Sequence, residues 1–242
     1  MPADSTGEGE RLVGELLFLM DAQNIVIPVG AESVSGLLLH PANAKALYLF
    51  AHGAAVGMTH KAMESNAQGL AARAIATLRY QFPYMDKGSR RPDPPPIAHS
   101  AVRAAAAEAL ELAPDLPLFA GGRSFGGRMT SQAQSKAPLS GVRGLAFLGF
   151  PLHRAGKPGV ERADHLAGVK TPMLFVSGSR DALAELALLK PIVDGLGECA
   201  ELHVVEGADH GFNVPAKSGR TSADTEAEAL DAMTDWMLRL ST

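Results

Sequence analysis

Short, nearly unbroken apolar runs alternate along this chain with longer segments that are apolar on one side only. "VSGLLLHP" (Val34–Pro41) and "ALYLFAHG" (Ala46–Gly53) read as strands, the second so uniformly apolar that a central position is expected. "ESNAQGLAARA" reads as a helix and "IATLRYQF" (Ile75–Phe82) as the next strand. The alanine-rich "IAHSAVRAAAAEALELA" reads as a helix leading into the strand "LPLFAGG". "GLAFLGF" and "PMLFVSG" follow as buried strands, and the helix "ALAELALLKPIV" separates the latter from "AELHVVEG". Near the C-terminus Leu230, Met233, Trp236, Met237 and Leu240 fall at helical spacing, with Glu228, Asp231, Asp235 and Arg239 on the opposite face.

Strands alternating with helices predict a mostly parallel sheet covered on both faces, an α/β fold. The first two strands have no helix between them, which suggests an antiparallel edge. No internal repeat or linker divides the chain, so residues 1–242 are expected to form one domain. Two irregular stretches, "PYMDKGSRRPDPPP" (Pro83–Pro96) and "PLHRAGKPGVERAD" (Pro151–Asp164), each follow a strand. Both should overhang the carboxyl edge of the sheet, where α/β proteins bind ligands.

Composition narrows the class. The 242 residues are 46% hydrophobic and 20% charged, ordinary for a soluble globular protein. The formal net charge of −4 offers no basic field for nucleic acid or an anionic membrane. A single cysteine, Cys199, excludes an internal disulfide and a CxxC metal site. The opening "MPADSTGEGERLVGELLFLM" carries acidic residues where a secretory signal would be basic, and no uncharged apolar run would span a bilayer. A cytoplasmic protein is the expectation.

The chemistry concentrates in "FAGGRSFGGR". Gly122-Arg123-Ser124-Phe125-Gly126 is G-x-S-x-G, directly after a strand and before the plausible helix "RMTSQAQSKA". That context fits a nucleophile elbow, a tight turn that projects the serine hydroxyl and needs small residues two before and two after it. A glycine-rich turn or a phosphate loop would use similar helix-end physics, but no G-K-[ST] follows. A serine needs a base and an orienter, in the order Ser, acid, His. Asp181 in "FVSGSRDAL" and His210 in "VVEGADHGF" each lie just past a strand, on the edge expected for Ser124. Asp181 could instead cap the following helix, and His210 could be an exposed turn residue.

Among competitors, Asp209 adjoins His210 and is a poor orienter, and His203 belongs to a sheet face. His60, His99, His153 and His165 are expected to be solvated, with His60 the first substitute base. In "LFAHGAAVG", His52 is expected to be structural, while the Ala54 backbone N–H would share an oxyanion with that of Phe125. Tyr84, Arg90, Arg91, His153 and Arg154, in the overhanging loops, could read the polar end of a substrate.

With "HGAAVGMTH", "QFPYMDKGSRRPD", "GGRSFGGR" and "KSGRT" in that order, the chain from Leu37 onward resembles the α/β-hydrolase superfamily. Within it, the chain is similar to a small group of dienelactone-hydrolase-like proteins. The resemblance implies about eight strands with one antiparallel, a Ser124–Asp181–His210 triad, no cofactor and no metal. Dienelactone hydrolases proper use a cysteine nucleophile; here the one cysteine is remote from the elbow, which points to serine chemistry. The expected activity is cleavage of a small ester through an acyl-enzyme on Ser124. The group also resembles chromatin-complex subunits with a scaffolding role, so the alternative is an idle interaction module of the same fold. Between Phe150 and Pro172 lie only about twenty residues, with Gly156, Pro158 and Gly159 to break helices, so no large lid is expected.

Overall fold

The computed structural model describes residues 20–54 and 56–242. The opening segment read above for a targeting signal lies, apart from Met20, outside the described residues. Eight strands form one sheet: β1 (Gln23–Val29), β2 (Glu32–Leu39), β3 (Ala46–Ala51), β4 (Ile75–Tyr80), β5 (Leu118–Arg123), β6 (Val142–Leu148), β7 (Met173–Gly178) and β8 (Ala200–Val205). Their spatial order is β1-β2-β4-β3-β5-β6-β7-β8. Only β2 runs against its neighbours, β1 and β4; every other ladder is parallel.

Helices α1 (Lys61–Ala71), α2 (Pro83–Asp86), α3 (Pro95–Leu112), α4 (Phe125–Lys136), α5 (Leu186–Gly195) and α6 (Ser222–Arg239) connect and cover the strands. On one face α3, α4 and α5 contribute Ala98, Val102, Met129, Ala133, Leu189 and Val193 to the larger core cluster. On the other, α1 and α6 supply Met63, Leu70, Leu230, Met233, Trp236 and Met237. Strands β3, β4 and β7 are buried along their whole length, as strands sandwiched between helix layers must be. This is the expected α/β-hydrolase-type architecture, an eight-stranded, mostly parallel sheet with helices on both faces.

Several local expectations differ. The antiparallel edge is not a pairing of β2 with β3: β4 lies between them, and β2 pairs with β1 and β4. Strand β1 is an addition, an edge strand that turns Ile25 and Ile27 inward and leaves Val26 exposed. The stretch Pro83–Pro96 is not wholly irregular, because it holds α2 and the first turn of α3, which Pro95 and Pro96 open at positions that need no N–H partner. Helix α5 begins at Leu186, not Ala182, after a turn. Between β6 and β7 stands a 3-10 helix, Glu161–Gly168, which buries Ala163 and Leu166 in the core beside α4; no separate lid occurs among the described residues. No described helix is long and apolar enough to cross a membrane.

Candidate active site

Chain order places a crevice at the carboxyl ends of β3 and β5. From β3 the chain passes through α1 on one face to β4, then through α3 on the other face to β5, so the connections diverge there. Into this crevice Ser124 projects between β5 and α4. Its backbone has φ 50° and ψ −113°, a conformation few side-chain-bearing residues adopt. Its N–H donates to the Leu148 carbonyl at 3.0 Å, and its own carbonyl accepts from the Arg128 N–H at 3.1 Å.

The glycines around it are explained by close approach. A Cβ on Gly121 would lie 1.8 Å from the Ala146 carbonyl oxygen, and one on Gly122 or Gly126 would lie 2.4 Å from that of Ala51. No side chain fits against backbone at such distances.

His210, on the loop after β8, places Nε2 2.9 Å from the Ser124 Oγ, and its Nδ1 lies 2.8 Å from the Asp181 Oδ2. Asp181 follows β7 and is buried; its other oxygen, Oδ1, accepts from the Leu183 N–H at 2.8 Å. That bond closes a turn and not the first turn of a helix, because α5 starts later with Glu185 at its N-cap position. Acid, imidazole and hydroxyl thus form one hydrogen-bonded chain from three strand ends.

Asp209 has its Oδ1 engaged by the backbone N–H groups of Gly211 and Asn213, so it shapes the loop and does not orient the ring. Arg123 braces the same loop from the elbow: its guanidinium donates to the Gly211 carbonyl at 2.8 Å and to Asn66 Oδ1 at 3.2 Å. The ring of His210 rests against the backbone of Gly149, where a Cβ would stand 3.2 Å from it.

His52 clamps the end of β3. Its Nδ1 donates to the Gly53 carbonyl at 2.8 Å, and its Nε2 accepts the Phe82 N–H at 3.0 Å. Burial pushes its pKa down to about 4, so the ring is neutral. The clamp fixes the turn that presents Ala54 beside Ser124. Phe125 opens α4, so its N–H has no acceptor within the helix.

Ser124, Phe125 and Ala54 share a cavity of about 440 Å³ with Arg128, His153, Arg154 and Arg162. The solvated histidines of the sequence reading need correction. His99 is buried against α4, with Nε2 3.3 Å from Gln132 Oε1. His153 is buried with both ring nitrogens engaged, by the Arg154 carbonyl at 2.9 Å and by Glu185 at 2.5 Å. These contacts, the carbonyl first, raise its pKa against the effect of burial. His165 is half-buried and meets the Ser131 hydroxyl at 2.7 Å. His60 is exposed and caps α1 through the Ala62 N–H, and His203 pairs with Glu228 on the face of β8 turned to α6.

Of the loop residues, Arg154 and His153 line the cavity. Tyr84 is buried behind it, 6.4 Å from the Phe125 ring, and borders with Arg91 a neighbouring pocket. Arg90 is exposed outside both. Sequence reasoning missed Arg128 and Arg162. The signal for Arg128 was its spacing, one helical turn after Ser124; Arg162 reaches the cavity only through the path of its loop. No group of three or more His, Cys, Asp or Glu among the described residues is placed to hold a metal ion.

The chain matches the family model described as "Alpha/beta hydrolase domain" over residues 44–238. Among solved structures it is similar to a dienelactone hydrolase from Anabaena variabilis, with 21% identity and TM-score 0.72, covering 91% of this chain and 98% of that one. A serine hydrolase without a lid from Xanthomonas campestris superposes with TM-score 0.67 at 16% identity, over 91% of this chain and 97% of that one. The esterase domain of a Rhodothermus marinus protein gives TM-score 0.67 at 17% identity, covering 91% and 99%.

Proposed function

Because the chain belongs to the α/β-hydrolase domain family, we propose that it is a serine hydrolase that cleaves small esters through an acyl-enzyme on Ser124. One observation carries this reading: Ser124 Oγ, His210 and Asp181 form a continuous hydrogen-bonded chain, 2.9 and 2.8 Å, opening on a cavity. Small serine hydrolases and an esterase domain among the similar folds support it.

In the proposed reaction His210 Nε2 takes the Ser124 proton as the hydroxyl attacks the acyl carbon. Asp181, held in place by the Leu183 N–H, keeps the proton on Nδ1 and stabilises the imidazolium that forms. The oxyanion is received by the N–H groups of Phe125 and Ala54, fixed by the start of α4 and by the His52 clamp. The imidazolium returns its proton to the departing alcohol. Water, deprotonated by the same ring, then releases the acid and restores Ser124.

The test is an ester panel with a fluorophosphonate probe, run on wild type and Ser124→Ala. Wild type should hydrolyse esters and take up one phosphonyl group on Ser124. The variant should fold, resist labelling, and lose hydrolysis by a factor on the order of 10⁴. Hydrolysis surviving in Ser124→Ala, or no turnover and no labelling in wild type, overturns the proposal.

A further inference from the structure

We propose that the cavity beside Ser124 recognises an anionic substrate, an ester whose acyl or alcohol part carries a carboxylate a short distance from the scissile bond. This rests on the serine-esterase reading and names the substrate class of the same site.

The cavity wall gathers three guanidinium groups from separate segments. Arg128 comes from the second turn of α4, Arg154 from the segment after β6, and Arg162 from the 3-10 helix. Arg128 lies over the Phe125 ring, 5.7 Å from its centroid. Its Nε is buried without a hydrogen-bond partner, and no carboxylate among the described residues forms an ion pair with any of the three. Arg162 donates to the His153 carbonyl at 2.7 Å. Burial first, and then mutual repulsion, pushes Arg128 down to about 10, which leaves it charged at neutral pH. Arg162 is lowered for the same reasons.

The nearby carboxylates are otherwise engaged. Asp93, the one acid lining the cavity, accepts the Tyr84 N–H at 2.9 Å. Glu185 holds His153. Glu161 acts on Arg162 only through space.

A partly buried guanidinium with an orphaned N–H carries a desolvation cost that an oxyanion would remove. Guanidinium groups suit a carboxylate because their planar forks can donate two parallel hydrogen bonds. The rest of the lining, including Pro92, Pro95, Met129, Pro151 and Leu183, is apolar. It matches a short hydrocarbon spacer between the ester and the charged end.

The experiment compares matched esters: p-nitrophenyl glutarate half-ester with p-nitrophenyl pentanoate, and 4-acetoxybenzoate with its methyl ester. In at least one pair wild type should favour the anion in kcat/KM by about tenfold or more. Arg128→Gln and Arg162→Gln should each bring that ratio down toward one, a loss of about tenfold. The ratio is the readout, since a merely structural loss lowers both members of a pair together.

Folding failure of either variant is bypassed by titrating glutarate into Ser124→Ala by calorimetry at constant ionic strength, where saturable binding is expected. Hydrolysis of both members of each pair at equal rates overturns the anionic site and leaves the esterase reading standing. Glutarate binding with no hydrolysis of any ester overturns the esterase reading and keeps the anionic site. Absence of glutarate binding overturns the site independently of activity.

Discussion

Replacing Ser124 by glycine should give a more stable protein than replacing it by alanine, the reverse of the usual order. At an ordinary position glycine costs about 0.5–1 kcal/mol relative to alanine, because the unfolded chain has more freedom to lose. Ser124 has φ 50° and ψ −113°, where a Cβ is strained. Such a conformation costs about 1–3 kcal/mol for a residue other than glycine. Both variants lose the same hydrogen bond to His210 Nε2, so that term cancels. The alanine methyl, half buried, returns about 0.4 kcal/mol. The balance favours glycine by about 1 kcal/mol, or about 2–4 °C in Tm for a chain of this size. Differential scanning calorimetry of the two variants reads this directly, with both expected inactive against esters. An alanine variant melting at or above the glycine variant would refute the claim that the elbow holds its serine under strain.

Acid should destabilise the fold through His52. An unfolded histidine titrates near 6.5, whereas the folded one is held at about 4, so its contribution is complete above about pH 6.5 and lost as pH falls toward 4. The loss reaches about 3 kcal/mol; His52→Gln, with both an amide donor and an acceptor, should flatten that limb of a urea-denaturation series, and an unchanged slope would contradict it. Gly126→Ala should cost more than about 3 kcal/mol or prevent folding, because its Cβ would meet the Ala51 and His52 carbonyl oxygens at 2.4 and 2.6 Å. Gly195→Ala, with open space around it, should leave Tm unchanged or slightly raised. With no lid among the described residues, rates on p-nitrophenyl esters should peak at short acyl chains with no jump at micelle formation; a long-chain optimum with interfacial activation would count against an open site.

The apolar runs that became β3, β4, β5, β6 and β7 were legible because a strand buried on both faces has little choice of residue. The elbow was legible because backbone contacts of 1.8–2.4 Å at Gly121, Gly122 and Gly126 admit only glycine, and with Gly127 they leave a mark around one serine. Strand order was not. Whether β2 lies beside β3 or β4 depends on which edge the crossover through α1 fills, and both partners present similar apolar residues. Edge strand β1 was hidden by its mostly exposed face and by Pro28, which an edge tolerates but an interior strand does not. Burial of His99 and His153 also escaped, since a histidine bonded to Gln132 or Glu185 across a gap of more than thirty residues has no local signature. Arg162 escaped because only the path of the segment after β6 brings it to the cavity, where it donates to the His153 carbonyl.

The Ala51 carbonyl touches the space of both Gly122 and Gly126, and His52, the next residue, begins the turn that carries Ala54. The proposed nucleophile and oxyanion donors are therefore built on a single chassis, the end of β3 locked into the β5–α4 turn. Much of the cavity wall belongs to other segments, Pro92 and Pro95 after β4 and Pro151, Arg154 and Arg162 after β6, while Arg128 and Met129 come from α4. Chemistry and part of the selectivity are thus separable under mutation: sequence change in 83–96 and 151–164 can retune what enters without moving Ser124, whereas Arg128 stands on α4 itself. A library for new substrates should be drawn from those segments, and change at the chassis should yield mostly inactive protein.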